Sequence, residues 1–97
     1  MSMKTWNKTA TGDLTIATGD GSIDRVSAQF YNADSSAVEV TIKAADNTGG
    51  VSGAVIIKKF TLDAGETGSY HVNELESGDT VAVNVGGTTN LNIVTWN

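Results

Sequence analysis

Leu62-Asp63-Ala64-Gly65-Glu66-Thr67 and Leu75-Glu76-Ser77-Gly78-Asp79-Thr80 write one phrase twice: leucine, acid, small residue, glycine, acid, threonine. Each reads as a turn, because glycine takes positive φ without steric penalty and the flanking acids keep a loop tip in water. Between the copies, Ser69-Tyr70-His71-Val72-Asn73 is too short for a helix. After the second copy, Val81, Val83 and Val85 recur with the period of two that puts them on one face of a strand. The unit is turn, strand, turn, strand, and it predicts an all-β chain.

The same reading extends in both directions. Ala10-Thr11-Gly12-Asp13 and Ala17-Thr18-Gly19-Asp20 are two further turn phrases, with Leu14-Thr15-Ile16 a short strand between them. Before them, residues 1–9 form either an N-terminal arm or an edge strand, with Trp6 as the large apolar group. Gly19-Asp20-Gly21-Ser22 is a strong turn signal. Ile23, Val26, Ala28 and Phe30 suggest an inward row that breaks period near Asp24-Arg25, where a bulge or a strand start is expected. Tyr31 to Ser36 closes that strand in polar turn formers. Val38, Val40, Ile42 and Ala44 then alternate with Glu39, Thr41 and Lys43, the pattern of a sheet with one buried and one wet face.

Asp46 to Gly53 is a Gly-rich loop lacking the lysine and the following helix of a phosphate-binding loop. Val55 and Ile57 are out of phase with Phe60 and Leu62, and a bulge at Lys58-Lys59 would bring both pairs to the core. Gly86 to Asn90 reads as a hairpin loop. In the last strand either Leu91, Ile93 and Thr95 or Asn92, Val94 and Trp96 face inward. About eight strands at this spacing predict one antiparallel β-sandwich over residues 1–97, of jelly-roll or immunoglobulin-like order.

Ninety-seven residues supply a single core. A chain of this mass should fold to a surface of roughly 5,200 Å². Six basic residues against eleven acidic give a net charge of −5, with the positives scattered except for Lys58-Lys59. That balance argues against nucleic acid, whose phosphates call for clustered Lys and Arg. The longest apolar run, Ala54 to Ile57, is far too short to cross a membrane. Without cysteine there is neither a disulfide nor a thiolate metal site. The start of the chain does not read as a secretory signal, so synthesis and folding in a cytosol are expected. Proline is also absent, so exposed strand edges must be guarded by charge or paired with another subunit.

Candidate chemistry is sparse. His71 alternates with Tyr70 and Val72 and has no evident partner for base catalysis or metal binding. Asp20, Ser22 and Asp24 have alternate spacing but lack the further ligands of a calcium loop. Asp63, Glu66, Glu76 and Asp79 sit at turns, where nothing raises a carboxyl pKa as glycoside hydrolysis requires. Trp6, Tyr31, Tyr70 and Trp96 are core plugs, contact anchors or, as the alternative, sugar-stacking rings. No enzyme and no cofactor are expected.

Phe30-Tyr31-Asn32-Ala33-Asp34-Ser35-Ser36-Ala37-Val38-Glu39-Val40-Thr41-Ile42, a Gly-rich loop, Phe60 to Thr67, Leu75 to Val81 and Leu91-Asn92-Ile93-Val94 follow in that order. This succession, covering about two thirds of the chain, resembles small β-sandwich virion proteins of tailed bacteriophages; the first 20 residues depart from the pattern. The resemblance implies a reaction-free structural protein located on the virion and made in the bacterial host cytoplasm. It implies a capsid decoration, or cement, protein bound to the lattice of the major capsid protein, with a tail or fibre component or a carbohydrate- or receptor-binding module as the alternative. A symmetric homo-oligomer, such as a trimer, would bury strand edges and gain from multivalency. On this reading the segment around Lys4, Trp6 and Lys8 is expected to face the lattice, and Trp96 to anchor a contact.

Overall fold

A computed structural model describes residues 2–47, 54–87 and 89–97. Their regular elements are eight strands: β1 (Met3–Lys8), β2 (Gly12–Thr18), β3 (Val26–Asn32), β4 (Val38–Ala45), β5 (Val55–Leu62), β6 (Thr67–Val72), β7 (Thr80–Val85) and β8 (Leu91–Trp96). They form two four-stranded antiparallel sheets, ordered β1-β8-β3-β6 and β2-β7-β4-β5. The pairings of β1 with β8, β2 with β7, β3 with β6 and β4 with β5 make the chain one long antiparallel hairpin. Rolling that hairpin up adds the β3–β8 and β4–β7 ladders and closes a jelly roll, which decides between the two topologies that strand count left open. The 48–53 part of the Gly-rich loop and Thr88 of the 86–90 loop lie outside the described residues.

The core is the space between the sheets. Val26, Ala28 and Phe30 of β3 and Leu91, Ile93 and Thr95 of β8 line one wall. Val40 and Ile42 of β4 and Val81, Val83 and Val85 of β7 line the other. Phe30 and Phe60 meet across the gap with ring centroids 5.8 Å apart and tilted by 59°, a favourable aromatic geometry. In β8 the row of Leu91, Ile93 and Thr95 is therefore inward, and Asn92, Val94 and Trp96 lie on the outer face. The accessible surface is 5271 Å², close to the roughly 5,200 Å² expected from the mass of a folded chain.

Three local expectations are corrected. β2 runs from Gly12 to Thr18, so the two early turn phrases give up their ends to a longer strand, with a bulge between Thr15 and Ala17. The bulge in β5 falls at Ile57, one residue before Lys58-Lys59, because Ile42 pairs with Lys58 and Lys43 with Ile56. Val55, Ile56 and Ile57 are exposed by 65, 55 and 36%, so Val55 and Ile57 do not join the core: Val55 pairs with the half-buried Ala44 near the end of β4, and Ile57 is the bulged residue. Thr41 is on the wet face yet buried, since its central strand places it between Asn84 and Lys59.

The repeated phrase folds as read. Gly65 and Gly78 have φ of 78° and 92°. In each turn the amide of the second acid donates to the carbonyl of the first, Glu66 to Asp63 at 2.9 Å and Asp79 to Glu76 at 3.0 Å. The second acid also closes the turn through its side chain, accepting from the Asp63 amide at 2.9 Å and the Glu76 amide at 2.8 Å. The second acids thus have a bonding role as well as a solvating one. Gly19 docks on the second copy, donating to the Asp79 carbonyl at 2.8 Å and accepting from the Gly78 amide at 2.9 Å. A Cβ at Gly19 would collide with the Glu76 carbonyl, so this approach requires glycine.

Candidate functional site

The two outer faces of the sandwich differ in chemistry. Register on the β1-β8-β3-β6 sheet sets out three rows, Met3-Trp96-Ser27-His71, Thr5-Val94-Gln29-Ser69 and Asn7-Asn92-Tyr31-Thr67. No Asp, Glu, Lys or Arg stands in any of these twelve positions. The other outer face carries Asp13, Glu39, Lys43 and Lys59. There Lys43 pairs with Asp13 at 3.2 Å and Lys59 with Glu39 at 3.7 Å, and the Asn84 amide donates to Asp13 at 2.7 Å. The Asn84 amide, more than any other neighbour, holds the Asp13 carboxyl below its ordinary value; Lys43 adds to the effect against partial burial. The remaining nine acids lie in turns and loops.

The strand edges differ as well. β2 and β5 each carry a bulge, with Asp13 on the first and Lys58 and Lys59 on the second. On β1, Lys4, Trp6 and Lys8 pair with Thr95, Ile93 and Leu91, the inward row of β8, so two lysines lie on the inner side of that edge. Bulges, edge charge and inward-pointing charge all discourage pairing with another chain. β6, with Thr67-Gly68-Ser69-Tyr70-His71-Val72, has no bulge, no Lys, Asp or Glu, and an unbroken register with β3.

The residues expected to make contacts are divided by this geometry. Lys4 is exposed, Trp6 is half-buried against the core, and Lys8 is buried with its ammonium donating to the Ala10 carbonyl at 2.9 Å. Lys4 and Trp6 line a shallow depression with Ile16, Ala17, Asp20 and Ile23 at the mouth between β1 and β2. Trp96 is half-buried on the opposite, outer face, beside Met3 of β1 and Ser27 of β3. The terminal strands do pair, yet their two tryptophans point to different sides of the sheet. Tyr70 goes with Trp6, packing on the core, and Tyr31 goes with Trp96.

The remaining candidates are engaged in local structure or stand apart. His71 is exposed on the uncharged face. Asp20 accepts from the amides of Ser22 and Ile23, each at 2.7 Å, and those bonds lower its pKa. Asp24 pairs with Arg25 at 3.2 Å on the surface. Among the described residues, no three His, Cys, Asp or Glu side chains converge on a point where a metal ion could sit.

Asn32 is a buried residue whose role is not legible in the sequence. Asn32 stands at the end of β3, wholly buried, and its amide donates to the carbonyls of Ser36 at 2.8 Å and Leu62 at 3.0 Å. Its Oδ1 accepts from the Asp34 amide at 3.0 Å. In sequence it is one polar turn former among several, because its partner at Leu62 is thirty residues away.

No protein-family model matches the sequence, and no curated protein matches it. Among solved structures, the fold is similar to that of a protein of Bacillus endospore appendages, described as a novel family of disulfide-linked pili. That pair shares 20% identity over 99% of this chain and 83% of the other, with a TM-score of 0.54. The fold is also similar to PirA, at 13% identity over 98% of this chain and 93% of that one, with a TM-score of 0.55. At these identities the likeness is one of fold.

Proposed function

We propose that this protein is a reaction-free structural subunit that joins copies of itself and a larger particle. The observation that carries the proposal is β6, which among the described residues is an edge without bulge or formal charge, while β1, β2 and β5 are guarded. An exposed strand of this kind is completed by a strand from a neighbour, and closed symmetry would limit the assembly. The succession of phrases from Phe30 to Val94 makes a tailed-phage virion the particle of choice, with the head lattice of the major capsid protein first. Many weakly held copies would gain there by multivalency.

A second reading, a fibre, is favoured by the similarity to the endospore appendage protein. The disulfide link named for those pili is not open to this chain, which has no cysteine, so its fibre would be held by strand pairing and packing. Mixing purified protein with expanded, undecorated capsids separates the readings. Decoration predicts addition at a fixed ratio per capsomer. Binding to tails alone, or growth into filaments without capsids, selects the fibre. A protein that stays monomeric at all concentrations and binds neither particle overturns the assembly reading.

A further inference from the structure

We infer that the uncharged outer face of the β1-β8-β3-β6 sheet is a binding site for a neutral, hydroxyl-rich oligosaccharide. In a chain with seventeen charged residues, twelve neighbouring positions on one face hold none. Tyr31, exposed by 43%, and the half-buried Trp96 present rings on this face, whereas Trp6 and Tyr70 turn to the core. Trp96 is level with Ser27, four residues along β3 from Tyr31, so the two positions are roughly 13 Å apart along the strands and one strand over. Such spacing suits an extended chain of several sugar rings. Between and beside the rings stand Asn92, Gln29 and Asn7, whose amides both donate and accept, as ring hydroxyls require.

The composition of the face favours this occupant over a second copy of the chain. Eight of the twelve positions are uncharged polar groups or histidine, leaving Met3, Trp96, Val94 and Tyr31, which is too polar for the core of a protein interface. An anionic glycan would meet the protein's net negative charge with no cation on the face to offset it.

The test is a titration of the full chain with cellohexaose, xylohexaose, mannohexaose and a β-1,3-glucan hexamer, followed by NMR, with an oligogalacturonate as the charged comparison. At least one neutral hexamer should shift the Trp96 indole signal together with the amides of Gln29 and Asn92, and the oligogalacturonate should not. Tyr31→Ala, at the exposed ring, and Trp96→Ala should each weaken binding at least tenfold, while Lys59→Ala on the opposite face leaves it unchanged. The NMR spectrum of each variant reports whether the fold is kept. Failure of every neutral hexamer to bind, or binding that survives both ring substitutions in folded protein, overturns the site. So does self-association that Trp96→Ala and Tyr31→Ala abolish, since the face would then belong to another copy. Assembly through β6 is read separately, by sedimentation, and does not depend on these outcomes.

Discussion

Asn32 ties three segments together through one side chain: the end of β3, the turn that follows it and the end of β5. Asn32→Asp removes both donors and places a carboxylate against two carbonyls, so it should cost about 2–4 kcal/mol, measured by urea unfolding. Thr95 shows the opposite case. Its hydroxyl is fully buried in the β8 core row without a hydrogen-bond partner among the described residues. Thr95→Val keeps the shape and removes the unpaired group, with an expected gain of about 1 kcal/mol, or a Tm higher by roughly 4–8 °C. Asp13 is a pH-sensitive contact. Its folded pKa is depressed by Asn84 and Lys43, so it stabilises the fold above its unfolded pKa, and that contribution is lost as pH falls through the lower folded value. Stability measured from about pH 5 down should therefore decline more steeply in the parent protein than in Asp13→Asn.

At the scale of the element, the repeated turn offers an internal comparison. Gly65 and Gly78 share a positive φ, so alanine at either is strained by about 1 kcal/mol. A Cβ at position 65 would have only the Tyr31 hydroxyl near, at 3.9 Å, while at position 78 it would lie 2.6 Å from the Asn47 Cβ. Gly78→Ala should accordingly be the more damaging of the two in thermal unfolding. The β5 bulge is read as a guard of its edge. Deleting Ile57 would leave a regular, flat ladder beside exposed Val55 and Ile56, and the expected result is a folded protein that aggregates at concentrations where the parent does not.

Among the described residues, the jelly roll leaves one unguarded edge and one uncharged face on the same sheet. Placing lysine at Ser69 and His71, both exposed on β6, should abolish self-association seen in sedimentation velocity without lowering the monomer's unfolding free energy by more than about 1 kcal/mol. Each copy carries a net charge of −5, so association should strengthen from 0.01 M to 0.5 M salt as repulsion is screened. Weakening with salt would point to an ionic contact and away from strand pairing.

Local chemistry determined the strands and turns. Period-two rows such as Val81, Val83 and Val85, and glycines such as Gly65 and Gly78, act within a few residues, where backbone sterics decide the outcome. The two equally apolar rows of β8 could not be told apart, because which one is inward depends on the strands beside it. The bulge at Ile57, the anchoring role of Asn32, the parting of Trp6 from Trp96 and the emptying of one face of charge were likewise set by tertiary structure. Each depends on register between strands distant in sequence, and a one-residue slip would turn every side chain to the other face.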